Sequence, residues 1–264
     1  MSLQFIIGSS GIGKTHYACE QIIRESMENP QHLYYIIVPE QFTMQTQKNV
    51  VEMHPGKGIL NIDVLSFQRL AYRIFEETGG AREVLLDDTG KSMVLQKLVQ
   101  QHRKNLPYLG SQMNKPGYLD EVKSLISEFM QYDIREEELQ DMLGKTGEDS
   151  LLHMKMQDVG VLYQAFLQYL EGHYMTGEGV MDALKKAIPF SDKLKKSVLL
   201  LDGFTGFTPV QMNVIRELLN VCDKVLVTVT MDARENPLQM GKPHQLFYMS
   251  RKMIHTLSGL TSNL

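Results

Sequence analysis

The chain has 264 residues, 43% of them hydrophobic and 22% charged, which suits a globular protein with a sizeable core in one large domain or two small ones. Its formal net charge is −4 and its pI about 6.1, so no overall basic field advertises nucleic acid, and any such contact has to be a local patch. No basic leader precedes a long apolar run and no segment approaches the length of a bilayer span, so neither a signal peptide nor a membrane contact is expected. The two cysteines, Cys19 and Cys222, are expected as buried free thiols in a reducing cytoplasm. The eight histidines are scattered without metal-ligand spacing.

In chain order, "LQFII" predicts a short buried strand. "KTHYACEQIIRESMEN" predicts a helix with Ala18, Ile22, Ile23 and Met27 at helical spacing. "HLYYIIVP" predicts a second strand closed by Pro39, "EQFTMQTQKNVVEM" a helix, and "GILNIDVL" a third strand. Ser66 is the expected N-cap of "FQRLAYRIFEETGG", which stops at Gly79-Gly80. From about Glu83 to Lys196 no strand is expected; five amphipathic stretches read as helices, and Glu136, Glu137 and Glu138 as a solvated helix start. The α/β pattern then resumes with strand "SVLLLD", helix "PVQMNVIRELLNVC", strand "KVLVTVTM" and a last helical piece "HQLFYMSRKMIHTLSGL". Strands alternating with helices predict a parallel sheet covered on both faces. The expected organisation is an α/β domain over residues 1–82 and 197–264, interrupted by an all-helical subdomain over 83–196.

The segment Gly8, Ser9, Ser10, Gly11, Ile12, Gly13, Lys14, Thr15 fits the phosphate-loop pattern G-x-x-x-x-G-K-S/T between a strand and a helix. Glycines let such a loop close around phosphate oxygens with backbone N–H groups pointing inward, and the helix start adds its positive dipole end. Lys14 would reach the β- and γ-phosphates of ATP, and the Thr15 hydroxyl would ligate Mg²⁺. The metal needs a second, acidic anchor. Asp202, at the tip of "VLLLD", is the candidate, and Asp63 in "ILNIDVL" is its rival. An active ATPase of this class would want a glutamate after Asp202 to handle the attacking water, and Gly203 stands there.

The long interval between Lys14 and Asp202 resembles the first motor domain of superfamily 1 helicases of the UvrD/RecB type. In that family a helical subdomain is inserted before the Walker B strand. "GSSGIGKT", "VPEQF", "SFQRLAYR" and "DGFTGFTPVQ" together resemble the N-terminal region of the AddB subunit of the bacterial AddAB helicase–nuclease. The resemblance implies a P-loop NTPase sheet of helicase domain 1A type, with the insertion as a 1B-like subdomain. It aligns Asp202 and Gln211 with the helicase pattern "hhhDEhQDhxxxQ", making Gln211 an ATP-sensing candidate and Gly203 a replacement of the catalytic acid. It also puts Phe42, Thr43, Ser66, Phe67 and Arg69 where helicases touch one DNA strand. It implies an AddA-type motor as heterodimeric partner, single- and double-stranded DNA as ligands, and a bacterial cytoplasmic role in double-strand-break repair by homologous recombination. The second-motor motifs, the nuclease domain and the iron–sulfur cysteines of the full-length family are absent from this sequence. The implied activity is ATP–Mg²⁺ binding with slow hydrolysis at most.

Two other classes fit the loop. A small-molecule P-loop kinase would want arginines poised over the phosphates, yet Arg82, Arg103 and Arg135 are spread out. An ATP-gated interaction module would use nucleotide only to stabilise the α/β domain. Separately, "LKKAIPFSDKLKK" supplies Lys185, Lys186, Lys193, Lys195 and Lys196 as a candidate phosphate-binding edge.

Overall fold

The computed structural model describes residues 2–261 except 81, 82, 113, 114, 116 and 233, so Arg82 lies outside the described residues. The chain divides into two compact units, one of residues 1–80 with 181–264 and one of residues 81–180.

The first unit is built on a five-stranded sheet. Its strands are β1 (Ser2–Gly8), β2 (Leu33–Ile37), β3 (Ile62–Leu65) and two later ones. Helix α1 (Lys14–Glu28) joins β1 to β2. Helix α2 (Thr43–Met53) joins β2 to β3, and α3 (Phe67–Thr78) leaves β3. In the second unit come β4 (Val84–Leu85), α4 (Asp88–His102), α5 (Leu109–Gln112), α6 (Tyr118–Gln131), α7 (Glu136–Gly144), α8 (Leu151–Leu170) and β5 (Tyr174–Met175). Helix α9 (Gly179–Ala187) then leads back to the sheet through two 3-10 turns. There follow β6 (Ser197–Leu201), α10 (Pro209–Val221), β7 (Lys224–Thr230) and α11 (Tyr248–Thr261).

The sheet order is β1-β7-β6-β2-β3, and every pair is parallel. The inner strands β7, β6 and β2 read as near-continuous apolar runs because both faces are covered, whereas the edge strand β1, expected to be buried, is only partly so. Tyr34, Ile36, Val64, Val198, Leu200 and Leu226 point to one face and pack with Ala18, Cys19, Ile22 and Ile23 of α1 and Val50 of α2. Their neighbours Tyr35, Ile37, Leu199, Leu201, Val225 and Val227 alternate to the other face and are equally buried. The second unit has its own core. Leu95, Leu98, Ile126, Phe129, Leu162 and Phe166 close α4, α6 and α8 around one another.

Helix ends follow local chemistry. Ser66 accepts the Arg69 backbone N–H at 3.4 Å, as its N-cap position predicts, and α3 stops at the left-handed Gly79. Glu138 accepts the Arg135 backbone N–H at 2.9 Å, so the three-glutamate run does begin a helix. Both cysteines are buried free thiols.

Four expectations need correction. The stretch from Glu83 to Lys196 does contain strands: β4 and β5 pair in parallel, closed by Val84 N–H to His173 O at 3.1 Å and Leu86 N–H to Met175 O at 2.8 Å. A two-residue strand is too short to carry a readable alternation. In "EQFTMQTQKNVVEM" the first three residues form a 3-10 turn behind Pro39 and the helix begins at Thr43. In "GILNIDVL" only Ile62–Leu65 pairs with β2. The last helix starts at Tyr248, four residues later than the pattern from His244 suggests.

Candidate functional site

Parallel strands bring their C-terminal ends to one edge of the sheet, and that edge gathers the predicted residues. Sheet order fixes the spacing. The Gly8–Thr15 loop leaves β1 and Asp202 leaves β6, with β7 between them. The register pairs Leu201 with Val227, which sets Asp202 beside Thr228.

The loop wraps the start of α1. Gly13 is the residue before the helix, at φ 91° and ψ 20°, a left-handed geometry that a side chain disfavours. Lys14 folds over the loop and donates from Nζ to the Ser9 carbonyl at 2.8 Å. Ser9, Ser10, Gly11, Ile12 and Gly13 are exposed.

Asp202 is buried and held by hydroxyls. The Thr15 Oγ1 hydroxyl lies 3.0 Å from each Asp202 carboxylate oxygen, and Thr228 Oγ1 donates to Oδ1 at 2.6 Å. The Asp202 backbone N–H is tied to the Ile37 carbonyl at 3.0 Å, so the carboxylate is fixed to the sheet edge. Beneath it, burial and then the Asp202 charge push the Cys19 thiol up to about 12, so Cys19 is a neutral packing group. Asp63, the rival anchor, instead accepts from Arg73 Nη2 at 3.1 Å on the edge strand β3.

A carboxylate and a threonine hydroxyl meeting at 3.0 Å form an oxygen-only donor set, which suits a hard divalent cation such as Mg²⁺ that keeps its remaining positions for water or phosphate. A cavity of about 590 Å³ opens beside the loop, lined by Gly13, Lys14, Thr15 and His16 and, from α2, by Thr46, Asn49 and Glu52.

Gly203 adds a backbone fact to its missing side chain. Its φ is 78°, so the chain turns left-handed directly after Asp202, and its N–H reaches Thr228 Oγ1 at 3.4 Å. Gln211 is the third residue of α10. Its Oε1 accepts the Thr208 N–H at 3.0 Å and its own N–H donates to Thr208 Oγ1 at 3.4 Å, so its carbonyl closes a capping box.

The five strand-contact candidates separate by exposure. Phe42 is half-exposed, and Arg69 is exposed and pairs with Glu40 at 3.1 Å. Thr43, Ser66 and Phe67 are buried. Thr43 Oγ1 donates to the Glu40 carbonyl at 2.9 Å, and Ser66 caps α3. Phe67 packs against Phe204 and Phe207 with ring centroids 5.6 and 6.3 Å away, joining the start of α3 to the loop after Asp202.

Thr228 is the site residue that sequence reasoning missed. Its only signal is a hydroxyl in a largely apolar strand that ends in a second threonine, Thr230, and threonine is common in strands for its shape alone.

A parallel α/β sheet with a glycine-rich loop and a buried strand-end aspartate on the same edge defines a general class, α/β domains whose strands run parallel between helices. Within it, the chain belongs to the family described as "ADDB, N-terminal", whose model matches residues 5–264. It is similar to proteins named as the B component of an ATP-dependent helicase/deoxyribonuclease. That of Lachnoclostridium phytofermentans is 45% identical over 98% of this chain and 23% of its own length. Those of Alkaliphilus metalliredigens and Desulforamulus reducens are each 32% identical, over 96% and 100% of this chain and 22% and 23% of their own lengths. The chain thus spans less than a quarter of the relatives it matches. Among the described residues no helix is long and apolar enough to cross a membrane.

Proposed function

We propose that this chain is the nucleotide-holding portion of an AddB-type subunit of an ATP-dependent helicase–deoxyribonuclease. It would bind ATP–Mg²⁺ and DNA during double-strand-break repair by homologous recombination, beside an AddA-type motor subunit. The fold would then be a P-loop NTPase sheet of helicase domain 1A type carrying a 1B-like helical insertion. The observation that carries the reading is the meeting of Thr15 Oγ1 with both Asp202 oxygens at 3.0 Å, next to Lys14.

Each residue has a role in that reading. The loop N–H groups and Lys14 would hold the phosphates, with Lys14 exchanging the Ser9 carbonyl for phosphate oxygens. Thr15 and Asp202 would hold Mg²⁺, which when bound neutralises phosphate charge. Thr228 would keep Asp202 oriented. Gly203 brings no carboxylate to orient water, which supports slow hydrolysis at most. Gln211 would sense nucleotide only by giving up its bond to Thr208. Phe42 and Arg69 are the accessible candidates for one DNA strand, with Thr43, Ser66 and Phe67 fixing the backbone beneath them.

The test is equilibrium binding of a fluorescent ATP analogue with Mg²⁺, with and without labelled single-stranded DNA. Lys14→Ala should weaken nucleotide binding roughly 10- to 150-fold, the loss of a hydrogen bond to a charged group. Equal binding by wild type and Lys14→Ala would refute the nucleotide site. Motor-like ATP turnover by the wild-type chain on single-stranded DNA would refute slow hydrolysis. A small-molecule kinase should ignore the DNA, and a gated module should respond to nucleotide alone.

A further inference from the structure

The segment at residues 185–196, "KKAIPFSDKLKK", holds five lysines and one aspartate in a chain of net charge −4. It lies at the other end of the sheet from the loop. Lys196 leads directly into β6 while Asp202 leaves that strand, a separation of roughly 17 Å along five strand residues.

The backbone of the segment is anchored at several points. Ile188, Ser191 and Leu194 are fully buried. Glu77, near the end of α3, holds the segment twice: its Oε2 accepts from Ser191 Oγ at 2.7 Å and its Oε1 from the Lys193 N–H at 3.0 Å. Ser191 Oγ in turn accepts the Leu194 N–H at 3.2 Å. On this fixed backbone Phe190 stands 74% exposed, with Lys186, Lys193, Lys195 and Lys196 also exposed. The one acid in the stretch, Asp192, is engaged by Lys195 at 2.7 Å.

An exposed aromatic ring in a lysine-rich segment offers stacking and phosphate neutralisation at one place. A single nucleic-acid strand supplies both partners, an unpaired base and its flanking phosphates. An apolar protein groove would match the ring but not the lysines. We propose that residues 185–196 form a second nucleic-acid contact, at the amino ends of the strands, which stacks one unpaired base on Phe190 and holds its phosphates with Lys193, Lys196 and their neighbours. This contact does not depend on the nucleotide site.

The test uses the full 264-residue chain with labelled oligothymidine in a salt titration, and with an iodouracil-substituted oligonucleotide for photocrosslinking. Crosslinked peptides should include Phe190. Phe190→Ala should weaken single-strand binding about fivefold or more and leave duplex binding nearly unchanged. Lys193→Ala with Lys196→Ala should make the slope of log affinity against log salt shallower by about 1.4. All three side chains are exposed, so these variants should fold. Crosslinks at Phe42 with none at Phe190 would sink this contact and leave the reading of the loop edge standing. An unchanged salt slope in the lysine variant would also sink it. If polyglutamate binding fell in Phe190→Ala while oligothymidine binding held, the patch would belong to an acidic protein and the proposal would be overturned.

Discussion

Asp202 in the sheet unit and Asp158 in the helical unit are both buried carboxylates, and they are held in opposite ways. Asp158 Oδ2 accepts the backbone N–H groups of Tyr108 and Leu109 at 2.9 and 2.7 Å and so closes the start of α5. Its Oδ1 has no hydrogen-bond partner among the described residues, and burial pushes its carboxyl above the ordinary range against those two bonds. Asp202 is held instead by the hydroxyls of Thr15 and Thr228, and Thr15 itself lines the cavity beside the loop. A backbone donor cannot turn away without unfolding its helix, whereas a hydroxyl can rotate toward another acceptor. A buried acid therefore points to ligand chemistry only when its partners are free to change.

The same contrast separates the other buried charges. Lys91 lies inside the helical unit, bonded to Glu178 at 2.9 Å and to Ser127 Oγ at 3.3 Å. Although burial opposes it, the Lys91 hydrogen bond holds the Glu178 carboxyl below its ordinary range. This pair is structural. Lys14, on the exposed loop, is bonded among the described residues to the Ser9 carbonyl, which phosphate oxygens could replace.

The contrast is sharpest where a charge is removed. Lys91→Met should destabilise the helical unit by about 3–5 kcal/mol by stranding Glu178, read as lost amide-exchange protection in α4, α6 and α8. If protection is unchanged, the pair is not structural. Asp202→Ala should cost roughly 1.5–3 kcal/mol of Mg²⁺-dependent nucleotide binding, visible in the same titration as the Lys14 variant, with the fold retained. A variant that unfolds instead would put Asp202 in the class of Asp158. Gly203→Glu should lose about 1–2 kcal/mol of stability to its left-handed backbone and, where it stays folded, gain ATP hydrolysis over wild type. No gain would mean that the turn, and not the missing side chain, limits turnover.

The smallest effect concerns pH. Because the Asp158 pKa is raised on folding, its ionised form destabilises the native state above that pKa, and the penalty disappears as pH falls toward the ordinary carboxylate value. Glu178 has the opposite sign, giving stability above the ordinary value that is lost as pH falls below it. Asp158→Asn should therefore steepen the acid loss of stability between neutral pH and pH ~4, followed by urea denaturation at several pH values. An unchanged profile would mean that Asp158 does not titrate in that window.

Much of this was legible because it rests on local rules. Apolar runs of strand length, helical spacing and the Ser66 cap each involve residues near in sequence, so composition alone exposes them. The pairing of β4 with β5 was not legible, since its partners are 90 residues apart and two residues long. The burial of Thr43 and Phe67 was not legible either, since an aromatic or a threonine after a strand reads the same whether it faces solvent or the Phe204–Phe207 pair.

By itself, the sequence determined the α/β class, the Gly8–Thr15 loop, Asp202 as the acid at the tip of a buried strand, and the absence of a carboxylate at position 203. Those are properties of residue type and short spacing. Only the tertiary structure decided that Thr15 meets Asp202 across 187 positions of chain, that Thr228 supports it from the intervening strand, and that Gly203 turns left-handed. It also decided that Phe190 stands on a backbone fixed by Glu77. The reason is sheet order: parallel pairing collects the ends of strands that are distant in sequence, and no local pattern encodes which strand lies next to which.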